Sequence, residues 1–221
     1  LTVEENITFF SGLYGVPKER RIDRRNWVLE IAGLTEQRRL PTGELPLGWK
    51  QRLALGCAVL HEPPILFLDE PTSGVDPLSR RRFWDLIYAL TKRGTTAFVS
   101  THYMEEAEYC DRLALMNRGR LIALDTPARL RAGMREPILQ VETGEGAKAV
   151  AALQGLPGVI DAALFGRALH VTVRGREEAK EAIATRLRSR GIEATGIEEI
   201  APSLEDVFVS RIRAEGGAVL G

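Results

Sequence analysis

Apolar residues recur at helical spacing from the start of the chain. Val3, Ile7, Phe10 and Tyr14 fall on one face between residues 2 and 14, which predicts an amphipathic helix. Thr2-Val-Glu-Glu5 reads as its capping box, in which each end satisfies a free backbone donor, so Leu1 reads as a start in mid-domain. Pro17 and the charged residues after it predict a second helix closed by Gly33. A mostly apolar helix is expected at 53–60. Residues 65–68, a continuous apolar run behind Pro63-Pro64, predict a strand buried on both faces of a parallel sheet. Residues 95–100 and 112–116 are further runs of the same kind. Between the first two, residues 78–93 place Phe83, Ile87 and Leu90 on one helical face, with Gly94 after them. Strand, helix and strand in alternation imply an α/β fold.

Past Pro127 the pattern changes, and Glu136-Pro137 with the turn Gly144-Glu-Gly146 marks a boundary. A strand is expected at 138–142, a helix at 147–156, paired strands at 159–165 and 169–173, a helix at 177–189 and a strand at 194–200. This β-α-β-β-α-β order is the ferredoxin-like pattern. Ser203 opens a last helix through Leu204, Val207 and Phe208, after which the glycine-rich end is expected to fray.

The 221 residues, 44% of them hydrophobic, suffice for one large domain or two small ones. Thirty basic residues balance thirty acidic ones, so no whole-chain field favours nucleic acid or an anionic membrane. Cys57 and Cys110 have no partner at metal-ligand spacing, which fits buried thiols in a reducing compartment. No apolar run approaches the roughly 18 to 20 residues of a spanning helix, and no signal peptide opens the chain, so a soluble, cytoplasmic protein is expected.

The strongest chemical signal is Ile65-Leu-Phe-Leu-Asp-Glu-Pro-Thr-Ser-Gly-Val-Asp-Pro77. An apolar strand delivers two adjacent carboxylates to its C-terminal end, where open α/β sheets bind ligands. Neighbouring strand residues point to opposite sides, so the two acids can take different tasks. Asp69 suits a hydrated Mg²⁺ beside nucleotide phosphates, held through water. Glu70 can then polarise the attacking water. Asp76 and Pro77 make a good N-cap and first residue for the next helix. His102 follows the neighbouring strand, whereas His61 and His170 have no comparable setting.

This string resembles the Walker B motif and D-loop of ABC transporter ATPases, with Ser73, Gly74 and Asp76 in the D-loop. The resemblance implies that Asp76 meets an opposing subunit across a head-to-tail dimer, and that His102 is the switch histidine, sensing the γ-phosphate and orienting Glu70. Leu45-Pro-Leu-Gly-Trp-Lys-Gln-Arg52 resembles the ABC signature and the start of its helix, whose N-terminus offers N–H groups and partial positive charge to a phosphate. Pro46, Leu47, Gly48, Trp49 and Lys50 are the implied nucleotide-contacting residues, although Pro46 stands where the family carries a serine that touches the γ-phosphate. None of Lys18, Lys50, Lys92, Lys148 and Lys180 follows a glycine, so these residues contain no phosphate-binding loop. Residues 1–135 therefore read as part of an ABC ATPase domain, with a helical subdomain at about 1–60 and a P-loop NTPase (RecA-like) parallel-sheet core at about 61–135. Residues 136–221 read as a ferredoxin-like accessory domain with a terminal helix.

The stretch Ile200-Ala-Pro-Ser-Leu-Glu-Asp-Val-Phe-Val209 is similar to the ending of ATPases in ABC-2-type exporters. The resemblance implies ATP and Mg²⁺ as cofactors and a membrane permease and a second ATPase subunit as partners. It also implies residence at the inner face of the cell membrane, with no nucleic acid partner. Residues 3–32 would contact the permease. There Arg20, Arg21, Arg24 and Arg25 either assist or form a solvated face, the second being the expectation. Two other classes stay open. One is a soluble ABC protein of translation or DNA repair, which more often shows a second cassette, a coiled coil or a basic surface. The other is a non-catalytic interaction module, to which Pro46 and Leu47 point.

Overall fold

The computed structural model describes residues 1–215, which form two compact units dividing between Tyr103 and Met104. In the first, α1 (Val3–Leu13) begins with the expected capping box: the Thr2 N–H donates to Glu5 Oε2 at 2.8 Å and the Glu5 N–H to Thr2 Oγ1 at 3.3 Å. Its buried Val3 and Ile7 pack with Val28 and Leu29 of α2 (Arg21–Ile31) and Leu53 and Cys57 of α3 (Leu47–Ala58). Burial pushes the Cys57 thiol up to about 12, so it stays protonated inside this core, whereas Cys110 is only half-buried. Gly33, with φ +64°, ends the α2 turn, and a side chain there would meet Arg52 Nη1 at 3.0 Å. Arg52 uses that space to donate to the Ala32 carbonyl at 2.7 Å.

Arg24 departs from the solvated face expected of it. It is 7% exposed and donates to the Val59 and Leu60 carbonyls at 2.8 and 3.0 Å and to Glu62 at 2.9 Å. The carbonyls left open at the end of α3 attract the guanidinium inward. Burial lowers its pKa, and Glu62 opposes that shift.

β1 (Ile65–Asp69) and β2 (Thr96–Ser100) pair in parallel, joined by α4 (Pro77–Thr91). The expectation of burial on both faces does not hold. Leu66 is buried, but Ile65, Phe67 and Phe98 are 52%, 74% and 57% exposed, because no layer among the described residues covers that side.

The second unit opens with α5 (Met104–Ala107), β3 (Leu113–Asn117), β4 (Arg120–Asp125) and α6 (Pro127–Ala132). Residues 112–116, expected as a parallel strand, instead supply the first arm of an antiparallel hairpin. Arg118 and Gly119, at φ +48° and +75°, turn the chain straight back. Leu113 and Leu115 of the hairpin and Leu130 of α6 share one core with Leu204 and Val207 of α9 (Leu204–Ala214). This shared core draws residues 104–135 into the second unit.

Within this unit β5 (Ile138–Thr143), α7 (Gly146–Leu153), β6 (Val159–Phe165), β7 (Ala168–Val173), α8 (Arg176–Ser189) and β8 (Ala194–Ile200) follow the expected order. The antiparallel sheet runs β6-β7-β5-β8, as in a ferredoxin-like fold. Leu139, Val141, Leu169 and Val171 pack against Ala149 and Leu153 of α7 and Ile183 and Leu187 of α8. α9 is tied to the sheet by His170 Nδ1, 3.0 Å from Asp206, and by an Arg213–Asp161 ion pair. The glycine-rich end, residues 216–221, lies outside the described residues.

Candidate functional site at the strand ends

The parallel register sets Asp69 opposite Ser100, so the C-terminal ends of β1 and β2 lie side by side. The Ser100 hydroxyl donates to Asp69 Oδ1 and accepts the Glu70 N–H at 3.0 Å. That N–H also lies 3.1 Å from the Ser100 carbonyl. Glu70 leaves the strand at φ +42°, a left-handed conformation that costs a non-glycine residue about 1 kcal/mol or more. Its carboxylate comes within 3.1 Å of His102 Nδ1. Asp69 and Glu70 thus have separate partners, and the Nδ1 contact makes His102 the donor to Glu70. Both side chains of that pair are about half exposed, at 55% and 48%.

Asp69 and the Ser100 hydroxyl offer hard oxygens that fit a Mg²⁺ held mainly by water and phosphate oxygens. Among the described residues no group of three His, Cys, Asp or Glu side chains could hold a metal by itself.

The signature-like residues form a second group at two helix starts. Pro46 is the N-cap of α3 and supplies no side-chain cap, while its carbonyl accepts the Trp49 and Lys50 N–H groups at 3.0 and 3.1 Å. Gly48 is buried, and a Cβ there would stand 2.5 Å from Ser79 Cβ on α4. Trp49 packs on the helical core, and Lys50 Nζ turns back to the Gly43 carbonyl at 2.9 Å. Leu47 is exposed beside Gly74, whose φ of +71° shapes the loop before α4. Asp76 caps α4 by accepting the Ser79 N–H at 2.9 Å, with Pro77 as first helical residue. That backbone donor holds the Asp76 carboxyl below its ordinary value. The Ser73 N–H donates to the Glu70 carbonyl at 3.1 Å, which ties the loop before α4 to the end of β1.

Three residues at or beside the strand ends escaped sequence reasoning. Ser100 was visible as the last residue of its strand, and aligning the two strand ends would have set it beside Asp69. Tyr103 and Arg80 gave no signal. The rings of Tyr103 and His102 lie 4.1 Å apart, and the Arg80 guanidinium lies 4.0 Å from the Tyr103 centroid.

Two family models match in succession. One described as an AAA domain, putative AbiEii toxin, Type IV TA system, matches residues 18–106. The other, the C-terminal domain of DrrA1-3-like ATP-binding proteins, matches residues 126–212. The linearmycin resistance ATP-binding protein LnrL of Bacillus subtilis is 30% identical over 215 residues, which cover 95% of this chain and 69% of that protein. The chain belongs to the ABC transporter ATP-binding protein family. The daunorubicin resistance ATP-binding protein DrrA3 of Streptomyces coeruleorubidus is 34% identical over 93% of the chain and 66% of its own length. A probable multidrug ABC transporter ATP-binding protein of Escherichia coli, YbhF, is 54% identical over 132 residues, 60% of the chain. The chain matches 23% of YbhF and about two thirds of the two resistance proteins. Among solved structures, cbiO1 of Clostridium perfringens, part of the cbiONQ transporter complex, has a TM-score of 0.55 at 28% identity. That match covers 60% of this ABC chain and 53% of cbiO1. Asp69, Glu70, Asp76 and His102 all fall within the model matched at residues 18–106.

Proposed function

We propose that these residues serve the ATP-hydrolysing subunit of an ABC exporter, with Glu70 as general base. The observation that carries this reading is the Glu70 carboxylate, held by His102 at the end of β1 while Asp69 is held by Ser100. Glu70 takes a proton from a water whose oxygen attacks the γ-phosphorus of ATP, and ADP departs. His102 orients Glu70 and senses the γ-phosphate. Asp69 would hold a Mg²⁺ through water, and that ion would supply charge neutralisation at the ATP phosphates. The segment Pro46, Leu47, Gly48, Trp49 and Lys50 faces the nucleotide, with the Leu47 and Gly48 N–H groups at the start of α3 as its backbone donors, and Ser73, Gly74 and Asp76 meet the second subunit.

The partners in this reading are a membrane permease and a second ATPase subunit, at the inner face of the cell membrane. Support comes from the drug-resistance names of DrrA3 and LnrL and from the complex that contains cbiO1. Among the described residues no helix is long and apolar enough to cross a membrane, which fits a subunit that works with a separate permease. The 221 residues include no phosphate-binding loop. Alone, they are accordingly proposed to hydrolyse ATP negligibly and to bind it weakly.

The test extends the chain with a family N-terminal segment that carries the loop and compares Glu70→Gln with the parent. Turnover should fall by about 10² to 10⁴ while ATP binding persists. Unchanged turnover would defeat the catalytic reading. It would favour the interaction module, for which Pro46, which offers no hydroxyl, and the tethered Lys50 are the supporting observations.

A further inference from the structure

We propose that Tyr103 and Arg80 are positioning residues that fix the His102 imidazole against Glu70 and tie it to the first turn of α4. The inference rests on the reading of Glu70 as base and adds a route by which the loop around Asp76 reaches it.

His102 is 55% exposed, and a histidine side chain in that setting has several staggered positions and a broad second torsion. One polar contact, Nδ1 to Glu70 at 3.1 Å, does not fix a ring. The Tyr103 ring supplies the missing constraint. Its centroid lies 4.1 Å from that of His102 with the planes tilted by 37°, so the imidazole is held along a face as well as at one nitrogen. Tyr103 is itself held. Its N–H donates to Thr101 Oγ1 at 3.1 Å, and the Arg80 guanidinium sits 4.0 Å from its ring centroid, within cation–π range.

Arg80 lies in the first turn of α4, where its N–H bonds the Asp76 carbonyl at 2.9 Å. Asp76 in turn caps the helix through the Ser79 N–H. An unbroken series of contacts therefore runs from Asp76 through Arg80, Tyr103 and His102 to the Glu70 carboxylate. A shift of the α4 start moves the guanidinium, then the phenol ring, then the imidazole that orients the base. When a second subunit engages Asp76, the same series sets the angle of Glu70, which makes the base responsive to subunit contact.

The experiment reads the His102 ring nitrogens by ¹⁵N NMR in the chain as it stands, without nucleotide, at a pH where the imidazole is neutral. The nitrogen that carries the proton is set by the hydrogen bond made at the ring. The parent should show the Nδ1–H form. Tyr103→Ala should shift the signals toward the Nε2–H form, Tyr103→Phe should restore the parent pattern, and Arg80→Ala should shift it in part. Arg82→Ala, elsewhere on α4, serves as control and should leave the pattern alone.

A Tyr103→Ala chain that keeps the parent pattern with its fold intact overturns the proposal, as does a Phe variant that behaves like Ala. If Tyr103→Ala does not fold, Arg80→Ala decides: an unchanged pattern in that variant overturns the proposal equally. In the loop-bearing subunit, Tyr103→Ala should lower kcat by up to about 10²-fold with the KM for ATP unchanged. Failure of the general-base reading shows separately, as unchanged turnover in Glu70→Gln, since the nitrogen signals need no catalysis.

Discussion

Asp76 carries two loads at once, the cap of α4 and the surface proposed for subunit contact. The Ser79 N–H stabilises its ionised form and holds its pKa below the ordinary 3.8. A depressed carboxylate contributes stability that is fully present above the unfolded value and is lost as pH falls through the folded one. The α4 cap should therefore hold at neutral pH and fail on acidification below about 3.8. Asp76→Asn keeps a capping side chain without a titrating group. Its unfolding midpoint should change less with acid than the parent's, and an identical acid profile would contradict the assignment. At this scale the sequence disclosed identities better than partners. Asp69, Glu70, Asp76 and His102 stood out because their motif spacing is local. Ser100 and Arg24 did not. The contact of Ser100 with Asp69 depends on strand register, and the burial of Arg24 depends on the carbonyls at the end of α3.

Among elements, a close approach joins the starts of α3 and α4. Gly48 leaves no room for a methyl group, since a Cβ would stand 2.5 Å from Ser79 Cβ and 3.2 Å from Val75 Cγ1. Gly48→Ala should destabilise the first unit by about 1–3 kcal/mol, the usual cost of overpacking a well-filled contact. Ser79→Gly in the same chain should recover part of that loss, and denaturant unfolding of the two variants would show it. Periodicity had located both helices. It could not show their spacing, because a glycine in an apolar helix carries no mark of what stands opposite. The parallel pairing of β1 and β2 was legible from their apolar runs. The antiparallel course of residues 112–116 was not, because a short apolar run has the same appearance in either direction and the turn residues Arg118-Gly119 decide the matter.

At the scale of the molecule, the core that joins α9 to the β3–β4 hairpin determines where the chain can be cut. Leu204 is 1% exposed and Val207 is 1% exposed, and their neighbours include Leu113, Leu115 and Leu130. We propose that a fragment beginning at Met104 folds as one cooperative unit. A fragment beginning at residue 136 should retain the ferredoxin-like sheet but lose protection in α9, and amide hydrogen exchange over Leu204–Ala214 measures the difference. Equal protection in both fragments would show that α9 needs only the sheet. The change of pattern after Pro127 lies shortly ahead of the first strand of the ferredoxin-like sheet, Ile138–Thr143. Composition could not reveal that its final helix is shared, since that depends on contacts between residues far apart in sequence.

The bare side of the two-stranded sheet has a practical consequence for handling the purified chain. Phe67 and Phe98 stand 5.8 Å apart with most of their surface in water, beside exposed Ile65, and among the described residues each strand pairs on one edge only. Such a surface gains free energy by meeting another like it. The sedimentation coefficient should therefore climb with concentration, and Phe67→Lys with Phe98→Thr should flatten that climb while leaving the melting temperature almost unchanged. Colloidal behaviour, rather than foldedness, is what will limit how concentrated a sample of these residues can be made.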